Sequence, residues 1–274
     1  MALPVAVQLY SIRDSVEADM KAALAEVKKI GYDGVEFAGL FGNKPADIKA
    51  WCEELGLTPI SAHVPLDDMI KDTEGTLAAY KEIGCKFVVV PYVTEERRPG
   101  AEKFEETIEV VAKIGKMAAD MGLTLLYHNH DFEFKKVDGE YGLDILYNRV
   151  PAAYLQTELD TCWVNVGGEE PAAYVRKYTG RAPVVHLKDF YMSGKLPTHL
   201  YALIGIEEEE KEEEESTFEF RPFGSGMQDM QAILDASVDA GAGWVVVEQD
   251  EPTEGMTRIE CITKARENLK SVGW

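Results

Sequence analysis

Asp160, His186 and Glu248 each stand where a short apolar run stops: YLQTELD, APVVHLKD and WVVVEQD. Two carboxylates and an imidazole form a donor set that suits a divalent ion such as Mn, Mg, Co or Zn, with positions left open for substrate oxygens. Taken singly, each has a plainer use. Asp160 can cap the loop after it, His186 can be a satisfied semi-buried histidine, and Glu248 can pair with Lys188. At the tips of three consecutive strands they become a joint candidate for a metal site. Other apolar runs end the same way, in Gln8 and Tyr10, Glu36, His63, the triplet His128, Asn129 and His130, and Glu158. An ionisable group at such a position must be paired, hydrated or coordinated.

The elements that position these residues repeat along the chain. An amphipathic helical segment, a glycine where the helix should stop, and a short apolar strand recur in MKAALAEVKKIGYDGVEF, IKAWCEELGLTPISAH, LAAYKEIGCKFVVVPY and VAKIGKMAADMGLTLLYHNH, with less regular copies later. Gly31, Gly56, Gly84, Gly122 and Gly180 fall at the helix stops. Counting VAVQLY, the pattern predicts eight strands near 5–9, 33–37, 58–62, 86–91, 123–129, 154–159, 183–187 and 244–248. Runs such as FVVVPY are continuously apolar, as in a parallel sheet covered on both faces. The first strand-to-helix turn, LYSIRDS, contains neither a dinucleotide fingerprint nor a phosphate loop. Eight units predict a (β/α)8 TIM barrel, whose site lies at the C-terminal ends of the strands.

The chain of 274 residues, 46% hydrophobic, is read as one such domain over 1–274. A formal charge of −21 opposes binding to nucleic acid, because no basic groove neutralises phosphates. No apolar run approaches a membrane span and no signal segment is evident, so a cytoplasmic protein without membrane association is expected. Cys52, Cys85, Cys162 and Cys261 lie far apart and read as buried thiols. EEEEKEEEE at 207–215 sits in a loop insertion expected at about 191–216, either a solvated charged face or a cover over the site, with a subunit contact in a homo-oligomer as another use.

LDT (159–161), VVHLKD (184–189), VVVEQD (245–250), VQLYSIRD at the start and YHNHDFEF (127–134) together resemble the xylose-isomerase-like barrels, over almost the whole chain. That group includes sugar isomerases, epimerases, inosose dehydratases and endonuclease-IV-type proteins. The resemblance implies a divalent metal held by four side chains and bound to adjacent oxygens of a sugar or keto-sugar. Asp160, His186 and Glu248 inherit three of the ligand roles. Many relatives carry Glu-Asn-His where this chain has His128-Asn129-His130. His128 is then the expected fourth ligand and Glu133 a substrate contact or acid/base, with Glu133 folding back onto the ion as the alternative. Trp163 replaces a histidine of the sixth-strand motif and is expected as an apolar wall or a stacking surface for a sugar. Lys188 faces the same mouth and would hold an oxyanion or carboxylate, or else pair with Asp189. His63 and Glu36 are candidate contacts to sugar hydroxyls.

Such a site stabilises an enediolate while Glu248 moves a proton. An isomerase or epimerase of a free sugar or keto-sugar is the first expectation. With His128 in place of a second carboxylate, the symmetric base pair of an epimerase is missing. That leaves room for a lyase or hydrolase in which His130 or Glu133 protonates a leaving oxygen, as in a keto-inositol dehydratase or 3-keto-glycoside cleavage. A non-catalytic sugar-binding barrel is the third reading.

Overall fold

The structure, a computed structural model, describes residues 2–194 and 217–274. Eight parallel strands follow one another around a barrel: β1 (Val5–Gln8), β2 (Gly34–Phe37), β3 (Thr58–Ala62), β4 (Phe87–Val90), β5 (Thr124–His128), β6 (Gln156–Asp160), β7 (Val184–Leu187) and β8 (Trp244–Val247). β8 pairs with β1. Between β3 and β4 the ring is joined by the His63–Val89 bridge, with Val64 N–H donating to Val89 O at 2.9 Å and Lys86 N–H to Ile60 O at 3.0 Å. All eight expected strands are present within two residues of their expected places. The acidic run at 207–215 lies outside the described residues.

Strand alternation explains where the polar groups sit. Ala6, Ile60, Val89, Leu126, Val184 and Val246 point inward and plug the barrel floor, while alternate residues such as Val7, Val35, Val185 and Val247 pack outward against the helices. Two residues beyond the plug, the inward positions are Gln8 on β1, His128 on β5, His186 on β7 and Glu248 just after β8. A register irregularity between β2 and β3 at Val35/Glu36 adds one residue to this spacing, so His63 and not Ala62 joins the inner face. Gly31, Gly56 and Gly84 close their helices in the left-handed conformation, at φ 103°, 64° and 107°.

After β7 the chain leaves the barrel as an antiparallel pair, Asp189–Ser193 with Thr217–Arg221. The insertion expected at 191–216 therefore starts inside a strand. Phe190 and Phe220 of this pair bury themselves against Cys162 and Trp163.

Candidate metal centre and active site

His128, Asp160, His186 and Glu248 converge at the mouth, each offering a ligand atom within 4.8 Å of the others. His128 Nε2 lies 3.4 Å from Asp160 Oδ2 and 3.5 Å from Glu248 Oε2. Among the described residues, neither ring nitrogen of His128 nor Asp160 Oδ2 has a hydrogen-bond partner, although all are buried. A buried polar atom left without a partner is costly. Around an ion with bonds near 2.0–2.1 Å, tetrahedral ligand atoms stand about 3.3 Å apart, close to the distances of His128 from its two carboxylates, which are long for hydrogen bonds. The donor set therefore fits one divalent ion.

Local structure aims these groups. Asp160 ends β6 and caps the helix Thr161–Val166 with Oδ1, which accepts from Trp163 N at 2.9 Å, so Oδ2 is turned to the cluster. Capping and ligation thus use different oxygens of one carboxylate. Asn129 Oδ1 accepts from Asp160 N at 3.0 Å and ties the end of β5 to β6. Lys188 Nζ, fully buried, lies 2.7 Å from Asp250 Oδ2, 2.9 Å from Glu248 Oε2 and 3.4 Å from Asp160 Oδ2. Burial alone would raise the carboxyls of Asp160 and Glu248, but the Lys188 ammonium outweighs it and holds both below their ordinary range, with further help from His128 and His186. Burial also pushes Asp250 up, to about 6.

Glu133, the other candidate for the fourth position, is not among these donors. Its Oε1 accepts from Tyr127 OH and its Oε2 from His130 N, both at 2.8 Å, and burial pushes its carboxyl up to about 8. It braces the turn after β5. His130 lies on the cavity wall, stacked on Phe132 with ring centroids 5.4 Å apart, and burial together with His128 holds it well below the usual imidazole range.

The mouth encloses a cavity of about 310 Å³. His63, His128, His130, Lys188, Glu248 and Asp250 form its polar side, and Tyr10, Tyr92, Pro65 and Pro91 its apolar side. Three expectations change. Trp163 is fully buried behind His130, 5.2 Å away between ring centroids, and packs against Phe220, so it cannot stack on a sugar. Glu36, also fully buried, sits a layer below the cavity, where it accepts from Gln8 Nε2 at 2.8 Å and from Ser61 Oγ. Lys188 pairs with Asp250 and Glu248, while Asp189 gathers the backbone N–H groups of Phe190, Gly224, Gly226 and Gln228. Sequence reasoning missed Asp250 and Tyr92, although VVVEQD and FVVVPY place both just past strand ends.

A family model described as xylose isomerase-like TIM barrel matches residues 24–271. An inosose dehydratase of Lacticaseibacillus casei is 22% identical over 283 aligned positions, covering 92% of this chain and 89% of its own. One from Clostridium beijerinckii is 23% identical over 282 positions, covering 93% and 90%. Among solved structures, a sugar phosphate isomerase/epimerase from Parabacteroides distasonis superposes with a TM-score of 0.77 at 20% identity, over 100% of this chain and 95% of that one. The IOLI protein, described with a binding zinc atom, gives 0.70 at 17% identity over 98% of each chain. Among the described residues no helix is long and apolar enough to cross a membrane.

Proposed function

The chain belongs to the xylose isomerase-like TIM barrel family, and on that premise we propose that it is a metal-dependent lyase that eliminates a β-leaving group from a keto-sugar or keto-cyclitol. The observation that carries this reading is the asymmetry of the donor set, in which Glu248 faces the imidazole of His128 and not a second carboxylate. Epimerisation by two bases needs one on each side of the carbon, whereas elimination needs one base and one acid. The dehydratase names of the curated relatives support the same choice. The isomerase or epimerase expected first from sequence shares the opening proton abstraction and stands second.

His128, Asp160, His186 and Glu248 would hold a divalent ion, which would supply Lewis-acid stabilisation of negative charge on a substrate carbonyl oxygen. Glu248 takes the α-proton. Its Oε2 faces the other donors and the Lys188 ammonium at 2.9 Å, which leaves Oε1 for the substrate. As the β-carbon–oxygen bond breaks, its electron pair leaves with the oxygen, and that oxygen receives a proton from a cavity-wall acid. His130, held neutral, is a poor source. His63 suits the role better: burial would lower it, but Glu36 and Glu158 outweigh burial and lift it to about 10. Its Nε2 is held by those carboxylates, which leaves Nδ1 for the leaving oxygen. Asp250 and Tyr10, on the same cavity, orient substrate hydroxyls.

The test is to incubate the Mn²⁺- or Zn²⁺-loaded enzyme with an inosose and with a 3-keto-glycoside in deuterated water. Loss of water or aglycone, abolished by chelation and by Glu248→Gln, is the expected result. Deuterium incorporation or an epimer without release of a leaving group overturns the lyase reading. Sugar binding that survives chelation and Asp160→Ala, without turnover, points to a binding barrel instead.

A further inference from the structure

Beneath the outer donors lies a second layer in which the proposed chemistry gives Glu36 and Glu158 no task except to hold His63. Glu36, His63, Glu158 and His186 meet in a closed ring of short contacts. His63 Nε2 lies 2.7 Å from Glu158 Oε1 and 3.1 Å from Glu36 Oε1. His186 Nε2 lies 2.8 Å from Glu36 Oε1 and 3.1 Å from Glu158 Oε1. The two imidazoles are nearly parallel, 9° apart with centroids at 5.4 Å. Gln8 Nε2 and Ser61 Oγ donate to Glu36 from outside the ring, and apart from His63, whose side chain is 10% exposed, the ring is fully sealed.

His63, His128, Glu158 and His186 also lie within 4.8 Å of one another, so a second ion is an alternative for this layer. The spacing decides against it. Contacts of 2.7–3.1 Å are those of charge-assisted hydrogen bonds, and they fall short of the roughly 3.3 Å that separates ligands around a tetrahedral ion. At the outer donors His128 stands farther off, 3.4 and 3.5 Å from its carboxylates, and the short contact there is the 3.0 Å between His186 Nδ1 and Glu248 Oε2.

We propose that Glu36 and Glu158 are positioning residues for His186, accepting its Nε2–H so that the Nδ1 lone pair faces the outer donors, while His63 bonds the same two oxygens and fixes them in place. The inference rests on the reading of a divalent ion at the outer donors. An imidazole has two neutral tautomers, and a ligand nitrogen must carry no proton. If the proton sat on Nδ1, it would be given to Glu248 Oε2 at 3.0 Å, and the bare Nε2 would face two carboxylate oxygens at 2.8 and 3.1 Å. Two acceptors at Nε2 against one at Nδ1 select the tautomer that ligation requires. Glu158, two residues before Asp160 on β6, thereby couples one ligand strand to the orientation of another.

The test pairs calorimetric titration of Mn²⁺ or Zn²⁺ with ¹⁵N NMR of the histidine rings in the Zn²⁺-loaded protein, where one ring nitrogen of His186 must be bare, His186 being assigned by its loss in His186→Asn. One ion per chain is expected, with binding weakened about 10- to 100-fold in Glu36→Gln/Glu158→Gln and His186 protonated at Nε2 in the wild type. Unchanged affinity in a folded double variant overturns the inference. Where the variant does not fold, a wild-type His186 protonated at Nδ1 overturns it alone. Two ions per chain, one of them lost in Glu158→Gln and kept in Asp160→Ala, make the ring a metal site and overturn it as well. A wild type that binds no ion removes the outer-donor reading and this inference with it.

Discussion

Lys188 is the cation that lets three carboxylates stay together below the barrel mouth. Asp250, Glu248 and Asp160 all approach its ammonium, and it is fully buried. Removing one partner of a buried ion pair costs about 3–5 kcal/mol, because the remaining charge is left uncompensated. Lys188→Met should destabilise the metal-free protein on that scale. A divalent ion on Asp160 and Glu248 replaces part of the lost charge, so denaturant unfolding with saturating Mn²⁺ should show a clearly smaller loss. Equal losses with and without metal mean that Lys188 and the ion do not share ligands. Glu133 gives a pH dependence of a different kind. Its carboxyl is raised from 4.5 to about 8 in the folded chain, so the unfolded chain releases that proton first. Folding stability is therefore fully retained below about pH 4.5 and falls as pH rises towards about 8, by at most about 1.4 kcal/mol per pH unit. Glu133→Gln should flatten this slope in unfolding curves taken across that window, and an unchanged slope assigns the effect to another group. Of the residues that build the site, Asp160, His186 and Glu248 were legible because each closes an apolar run. Glu36 and Glu158 close similar runs but sit a layer deeper, and strand periodicity tells inward from outward without telling depth. Trp163 was misread because what covers it, the Phe190–Phe220 pair, arrives from a part of the chain read as irregular.

The strand pair Asp189–Ser193 and Thr217–Arg221 is the element that sequence patterning did not reveal, since its two halves are joined through a long intervening segment and neither has a hairpin turn signal. The eight barrel strands were legible for the opposite reason: each is bracketed by a helix stop and a polar tip, and local signals suffice. Asp189, at the start of the pair, gathers the loop that follows its second strand. Its carboxylate accepts from Phe190 N at 2.9 Å, Gly224 N at 3.0 Å, Gly226 N at 2.9 Å and Gln228 N at 3.2 Å. Hydrogen bonds to a charged group contribute roughly 1.5–3 kcal/mol each when one partner is removed, although losses within one network are not additive. Asp189→Ala should cost several kcal/mol and raise amide exchange at Gly224, Gly226 and Gln228 while leaving the β1 and β8 amides protected. Gly226→Ala should act on the same loop, because a Cβ there would stand 2.3 Å from Asp189 Oδ1 and 2.5 Å from Phe190 O. Exchange that rises uniformly over the barrel instead would show that the loop and barrel open as one unit.

At the scale of the whole molecule the dominant fact is charge. The chain carries −21 at neutral pH, and on the cavity wall Glu248 and Asp250 stand against Lys188 and His63, so the field met by an approaching substrate is that of the whole chain. Lys188, the lysine on that wall, is already engaged by three carboxylates. A negative field over a cleft lowers the local concentration of anions, and salt screens it within a Debye length of about 8–10 Å. A neutral keto-sugar approaches such a mouth without electrostatic cost, whereas a phosphorylated one is repelled. The expected outcome is that kcat/KM for a neutral keto-sugar or keto-cyclitol changes little between low and physiological ionic strength. For the phosphorylated analogue it should start lower and rise several-fold over the same range. The sign is what matters, because attraction to a phosphate-binding group would make kcat/KM fall as salt is added. A phosphorylated substrate preferred at low salt and lost at high salt would therefore place an anion-binding group at the mouth and move the substrate class from neutral keto-sugars to sugar phosphates.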